Sequence, residues 1–218
     1  ALALRYFYVQ QQWRRRVESE ADARFAALQA RIRPHFLFNC MNTIAGLTRH
    51  APVLAEQAVE DLSDLLRASL HSAGQPVTLA EEVALCRGYL RIEKHRLGER
   101  LQVEWQLPEG SLEQRLPALT LQPLLENAVY HGIELLPAGG VVTIACDVTP
   151  AGTTIKLSNP VVSGDAGATL RPGHNMAQEN VAQRLAAFFG RDGLLRIHDR
   201  PGEYSIEMLL PHEDPDRR

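Results

Sequence analysis

Cysteine is scarce in this 218-residue chain, and the three present, Cys40, Cys86 and Cys146, are odd in number, far apart and each set in an apolar run. No Cys-x-x-Cys pair occurs, so a disulfide framework is not indicated and the thiols read as buried residues of a reducing compartment. Eight histidines are present, yet none stands in a His-Glu-x-x-His or paired Cys/His spacing, which argues against metal capture by protein ligands alone. An excess of one charge is missing too. With 23 Lys and Arg against 26 Asp and Glu the net charge is −3, so no general basic field advertises nucleic acid, and no direct nucleic-acid partner is expected. Internal repeats are absent, and 45% hydrophobic with 22% charged residues is a globular balance that argues against disorder and fibrous scaffolds. The length suits one large domain or two small ones.

The opening does contain apolar residues, but few. Ala1 to Leu4, the aromatics Tyr6, Tyr8 and Trp13, and Arg14-Arg15-Arg16 follow the order found at the cytoplasmic end of a transmembrane helix. A crossing takes roughly 20 apolar residues, so residues 1–17 read as the end of such a helix and its juxtamembrane segment, with an upstream membrane portion cut away. An amphipathic helix start with a solvated basic turn is the other reading.

Residues 18–76 read as a helical hairpin. Phe25, Leu28, Ile32 and Phe36 recur at spacings of three and four, which predicts a long helix ending near Leu47 to His50, before Pro52. A second helix is expected from about Val53 to Leu70, with Val59, Leu62, Leu65, Leu66 and Leu70 on one side. One hairpin buries little, and two would close a four-helix bundle in a C₂ homodimer. Pairing with later helices of the same chain is the alternative.

Residues 77–218 change texture after the break at Gly74-Gln75-Pro76. Thr78 and Glu81 form a capping-box pattern that opens a helix through about Leu97. Leu101 to Leu107 alternates with period two and predicts a strand. A helix is expected over Leu119 to His131, then strands at Val141 to Val148 and Thr153 to Leu157 joined by Pro150-Ala151-Gly152. Ser163 to Gly173 reads as a loop, Glu179 to Phe189 as an amphipathic helix stopped by Gly190, and Leu194 to His198 with Tyr204 to Leu210 as a last hairpin. The expected class is α+β.

Three segments offer chemistry. In Arg33-Pro34-His35-Phe36-Leu37-Phe38-Asn39 a proline interrupts a helical pattern beside a histidine; it should bend the helix, free the Ala30 carbonyl and present the imidazole. An imidazole keeps one neutral, lone-paired nitrogen near neutral pH and suits a phosphoryl acceptor; a packed or solvated residue is the ordinary alternative. In Leu121 to Gly132, Glu126, Asn127, Tyr130 and His131 share a polar side while Leu121, Leu124, Leu125, Ala128 and Val129 can pack inward. An Asn or Glu oxygen there can complete a Mg²⁺ shell otherwise made of water and phosphate, although an ordinary amphipathic helix has the same pattern. In Gly173 to Leu185 a glycine precedes a helix N-terminus, whose amides can hold phosphate oxygens.

In this order and spacing the segments resemble the LytS/YehU-type sensor histidine kinases. The resemblance rests on Pro34-His35-Phe36-Leu37-Phe38-Asn39, on Leu121-Gln122-Pro123 with Glu126-Asn127-Ala128 and His131-Gly132, and on Glu179-Asn180-Val181 with Arg184-Leu185. It implies a dimerisation and phosphotransfer hairpin followed by a Bergerat (GHKL)-type ATP-binding α/β sandwich, attached to a transmembrane sensor of the bacterial inner membrane and facing the cytoplasm. It implies ATP and Mg²⁺ as cofactors and phosphotransfer to an aspartate of a response regulator, commonly one with a LytTR DNA-binding domain. By position, His35 would be the phosphoacceptor, Asn127 the Mg²⁺ ligand, and Glu126, His131, Asn159, Gly173, Asn180 and Arg184 the nucleotide site. Two departures stand out. Where such sites carry Asp-x-Gly-x-Gly this chain has Ser158-Asn159-Pro160, and the lid's Gly-x-Gly-x-Gly has become Gly173-His174-Asn175-Met176-Ala177. A dimeric scaffold that controls its regulator by binding or dephosphorylation is the competing reading.

Overall fold

The computed structural model describes residues 34–71, 76–162 and 174–212. It begins with the expected hairpin, helix α1 over Pro34–His50 and helix α2 over Pro52–His71. Ala51 bridges them, its N–H reaching Leu47 O at 2.8 Å, and Pro52 opens α2 where a missing N–H costs nothing. Pro34 is the first described residue of α1. The expected bend, the stripe residues Phe25, Leu28 and Ile32 and the segment 1–17 therefore lie outside the described residues. No described helix is long and apolar enough to cross a membrane.

The buried side of α2 runs through Ala55, Ala58, Leu62 and Leu65, at spacings of three and four. Val59, expected on that side, is 51% exposed. The small Ala55 and Ala58 are buried on the side of α2 that packs against α1 and against helix α3 over Leu79–Leu97. Phe36 meets Tyr89 with ring centroids 5.2 Å apart, and Arg91 Nε donates to Asp61 Oδ2 at 2.9 Å while Nη2 donates to Oδ1. A Cβ on Gly88 would stand 3.2 Å from Asp61 Oδ1, so the missing side chain lets the carboxylate approach. Pairing with a later helix thus occupies the hairpin's inner face. Its outer face carries the exposed Phe38, Met41, Val53 and Val59.

Helix α3 starts as the sequence predicts. Glu81 N–H donates to Thr78 Oγ1 at 3.3 Å and Thr78 N–H to Glu81 Oε2 at 2.8 Å, the reciprocal capping box that satisfies two orphan donors. It ends at Gly98, whose φ of 60° places it in the left-handed region that favours glycine. A short unforeseen ladder flanks this helix, β1 (Pro76–Thr78) antiparallel to β3 (Arg115–Pro117).

The main sheet comprises β2 (Leu101–Gln106), β4 (Gly140–Thr149), β5 (Gly152–Pro160), β6 (Leu195–Arg200) and β7 (Glu203–Leu210). Its order is β2-β4-β5-β7-β6, with β2 parallel to β4 and the other pairs antiparallel. Strand side chains alternate faces, and the buried set is regular: Val142 and Ile144 on β4, Ile155, Leu157 and Asn159 on β5, Tyr204, Ile206, Met208 and Leu210 on β7. These face a helical layer of α3, α4 (Gln122–Asn127) and α5 (His174–Phe189), which contributes Leu124, Leu125, Val181 and Leu185 to the same core. Each such aliphatic side chain contributes about 1.5–3 kcal/mol on full burial. The result is a hairpin followed by a two-layer α/β sandwich. Only one polar residue on β5 beyond Thr153, Asn159, is buried among this set, and it marks where the sandwich interior opens toward chemistry.

Candidate functional site

The segment expected as one helix over Leu119 to His131 has three parts. Helix α4 gives way to a π turn over Ala128–Gly132 and a 3-10 turn over Ile133–Leu135. Leu121, Leu124, Leu125, Ala128 and Val129 are all buried and hold the polar side of the segment against the core. Glu126 is half-buried and accepts from Gln122 Nε2 at 3.0 Å; Asn127 is 1% exposed. Tyr130 is exposed, and its ring stands edge-on to that of the half-buried His131, centroids 4.8 Å apart.

The approach to α4 is fixed from two sides. Leu119 has a φ of 60°, uncommon for a residue with a side chain. Glu82 of α3 accepts from its N–H and from that of Leu121, the latter at 2.9 Å. Arg184 of α5 donates to the carbonyls of Ala118 and Leu119. Glu82 is 2% exposed, and burial pushes its carboxyl up while the backbone donors and Arg184 pull it down. Arg184, expected beside the nucleotide, thus spends these donors on backbone carbonyls, and Asn180 is exposed on α5. Gly173 lies outside the described residues. His174 to Ala177, expected ahead of a helix starting near Glu179, belong to α5 itself.

Asn159 lies at the end of β5 against the π turn. A Cβ on Gly132 would fall 2.2 Å from Asn159 Nδ2 and 3.0 Å from Pro160 O, so the two segments meet only because Gly132 has no side chain. Asn159 Nδ2 donates to Pro160 O at 3.0 Å, while its Oδ1 is buried without a hydrogen-bond partner among the described residues. A buried acceptor left unmade costs about 1–3 kcal/mol, so this oxygen suits an incoming N–H donor such as the amino group of adenine. On the neighbouring strand Tyr204 is paired in register with Asn159 and its hydroxyl accepts from Gln178 of α5. Burial pushes the Tyr204 phenol up, which keeps it neutral. For Mg²⁺, Asn127 and Glu126 carry oxygens of the hard type the cation takes, Asn127 buried and Glu126 half-buried at consecutive positions of α4.

His35 comes to the same place from the hairpin. Its ring stands 6.1 Å from that of Tyr130 at 72°, and Asn39 Nδ2, one helical turn on, lies 3.3 Å from Nδ1. A cleft lined by His35, Asn39, Glu93, Arg96, Glu126 and Tyr130 separates hairpin and sandwich. Tyr130 is therefore the spacer between His35 and His131. The cleft brings together His35 and Glu126; His131 meets the ring of Tyr130, Asn159 lies against Gly132, and Asn180 and Arg184 lie on α5.

A family model described as Histidine kinase matches residues 23–101. The sensor histidine kinase BtsS of Escherichia coli K12 is 35% identical over 208 residues, 93% of this chain and 36% of that protein. The sensor protein LytS of Oceanobacillus iheyensis is 29% identical over 205 residues, 88% of this chain and 35% of that protein. This chain belongs to the LytS/YehU-type sensor histidine kinases. It spans about a third of the length of the curated relatives it matches. Among solved structures, a bacterial phosphotransferase determined at 1.7 Å superposes with a TM-score of 0.50 at 15% identity, covering 86% of this chain and 96% of that one, and shares its fold.

For a LytS/YehU-type kinase, sequence reading passed over four side chains at the site: Glu82, Glu93, Arg96 and Glu134. A signal existed. Glu82, Cys86, Tyr89 and Glu93 fall at i, i+4, i+7 and i+11 on α3, one helix face, and all four are buried.

Proposed function

We propose that this chain is the cytoplasmic part of an inner-membrane sensor histidine kinase that moves the γ-phosphoryl group of ATP to His35 and from there to an aspartate of a response regulator, of the LytTR-containing class by resemblance. The observation that carries this reading is the shared cleft: the imidazole of the hairpin lies against Tyr130, in the same turn as the Glu126–His131 face, within a single chain. Asn159 Oδ1 would accept from adenine, Asn127 would hold Mg²⁺ with Glu126 and His131 near the phosphates, and Gly173, Asn180 and Arg184 would close the site from the lid side. When bound, Mg²⁺ neutralises phosphate charge. The protein's own task in phosphoryl transfer is positioning: α4 seats the phosphates, the clasp on residues 117–121 fixes α4, and α1 delivers the ring. The exposed Phe38, Met41, Val53 and Val59 supply the homodimer contact.

Incubation with radiolabelled ATP and Mg²⁺ tests the reading. Wild type is expected to take acid-labile label. His35→Gln loses it while still binding nucleotide, and Asn127→Ala loses it with His35 present. Label on His35→Gln equal to wild type refutes the assignment, and a wild type that never labels, even with its membrane segment restored, favours the scaffold reading. Light scattering at micromolar concentration should give twice the monomer mass.

A further inference from the structure

An imidazole that attacks phosphorus needs a partner for its second nitrogen, because the tautomer and the acidity of the ring are set by what that nitrogen bonds. Helix α1, Pro34 to His50, contains no Asp or Glu at all. The residue following His35 is Phe36. The ring's own helix therefore cannot furnish a carboxylate, and the cleft must be searched for one.

Three carboxylates line it, Glu93 and Glu134 together with Glu126. Glu126 already accepts from Gln122 and adjoins the proposed metal ligand, which ties it to the phosphate side. Glu134 Oε1 accepts from Arg96 Nη1 at 2.8 Å, and its other oxygen is buried and takes no hydrogen bond among the described residues. Glu93 differs from both. It is 3% exposed, both of its hydrogen bonds, from Arg96 Nε and Nη2, land on Oε2, and Oε1 accepts nothing from the described residues. We infer that Glu93, on α3, is the proton acceptor of His35 in phosphoryl transfer, supplied from across the cleft in place of an acid on the histidine's own helix.

The step balances within these groups. A ring nitrogen of neutral His35 forms the P–N bond, the P–O bond to ADP breaks with its electron pair leaving on ADP, and the proton on the other ring nitrogen passes to Glu93. Arg96 explains why Glu93 can become neutral. Its guanidinium is shared between two carboxylates, so when Glu93 takes the proton, Glu134 still compensates the charge, and no buried cation is stranded. The titratable and charged groups around Glu93 are Tyr89 and Arg96 on its own helix, His35 and Cys40 on α1, Glu126 on α4, and Tyr130 and Glu134 beyond it. Burial pushes the Glu93 carboxyl up, against the pull of Arg96, which makes it a better proton acceptor. Cys40 is kept a neutral thiol by the same burial, pushed up to about 12.

This inference rests on the kinase reading, so its test carries one readout that does not depend on labelling. The ring of His35 is titrated by nitrogen-15 NMR in the whole chain, without nucleotide, for wild type, Glu93→Gln and Glu93→Asp. Removing an anion that shares the cleft with the ring disfavours the protonated imidazole and so lowers its pKa. Glu93→Gln should show that fall together with a loss of His35 labelling of about tenfold or more, the lower end of what an acid–base partner contributes being larger still, while its affinity for ATP is unchanged. Glu93→Asp keeps a carboxylate and should restore part of both, which separates the role from a packing defect. Unchanged titration in Glu93→Gln overturns the inference whether or not labelling falls, and so does a shifted titration with wild-type labelling. If wild type takes no label, the kinase reading fails on its own, and the titration decides whether Glu93 and His35 are coupled.

Discussion

Gly132 is the position at which the nucleotide-side architecture can be disturbed most selectively. An alanine there would carry its methyl to 2.2 Å from Asn159 Nδ2 and 3.0 Å from both Asn159 Cγ and Pro160 O. The backbone is not the obstacle, since φ is −97°, outside the left-handed region. Asn159 must therefore move, breaking its 3.0 Å bond to Pro160 O and turning Oδ1 away from the base. Overpacking of this kind costs about 1–3 kcal/mol. The loss of glycine's freedom in the unfolded chain returns about 0.4–1 kcal/mol. The net is a loss of up to about 2.5 kcal/mol with a midpoint near ~1.3 kcal/mol, a fall in melting temperature of roughly 3–5 °C at that midpoint for a chain of this size. Calorimetry should show weaker ATP binding in the same variant. Asn159→Ala opens the space the methyl needs, so the double variant Gly132→Ala/Asn159→Ala should be more stable than additivity predicts, by about 1 kcal/mol or more. Gly46, inside α1 with nothing within 4 Å of an added Cβ, is the contrast: Gly46→Ala should stabilise by about 0.5–1 kcal/mol. A Gly132→Ala protein that melts and binds like wild type would refute the reasoning.

Two further outcomes follow from the contacts of α3. Asp61→Ala removes the two-point bond with Arg91, whose side chain is 46% exposed; solvent screening reduces the loss to about 1 kcal/mol, read as a lower urea midpoint, and an unchanged midpoint would show that the hairpin is held by apolar packing alone. Glu82 is an acid whose folded-state pKa lies above its ordinary 4.5, so the folded chain holds a proton the unfolded chain releases. On its account stability is greatest at low pH and declines as pH rises from 4.5 toward the folded value. Melting curves across pH 4–8 should show Glu82→Gln gaining on wild type through that rise, and a constant difference would refute the assignment.

The large elements were legible because each had a local code. The Thr78–Glu81 box, the glycine stop at Gly190, the period-two run of β2 and the hairpin signal between β4 and β5 act within a few residues, and the fold uses them unchanged. The clasp on residues 117–121 had no such code. Its one acid, Glu82, and its arginine, Arg184, lie on separate helices, and an acid inside an apolar stripe lowers the amphipathic signal that reveals the helix, as Glu82 and Glu93 do on α3. Strands β1 and β3, three residues each, are too short for any periodicity to show. Val59 differs for another reason: hydrophobicity favours the larger side chain as the inner one, whereas the side of α2 that is buried carries the smaller Ala55 and Ala58. Of the proposed site, His35, Glu126, His131 and Asn159 were named from the family resemblance of their segments, while Tyr130, whose ring stands between those of the two histidines, reads in sequence as one member of a polar helix side.

The turn between Ala128 and Gly132 deserves to be considered as a matter of phase. Its closing bond runs from Ile133 N–H to Ala128 O, five residues back, shared with Val129 O, so it holds one residue more than an α-helical turn. One residue corresponds to about 100° of helical rotation. Tyr130 and His131 thus point where they do because the chain is out of step there by a single position, and the segment after Gly132 leaves with an altered heading. A one-residue deletion within the turn would let the backbone relax into ordinary helix, keep every apolar contact of Leu124 and Leu125, and swing the following side chains away from the cleft. The composition of the site would survive such a change almost intact, and its aim would not.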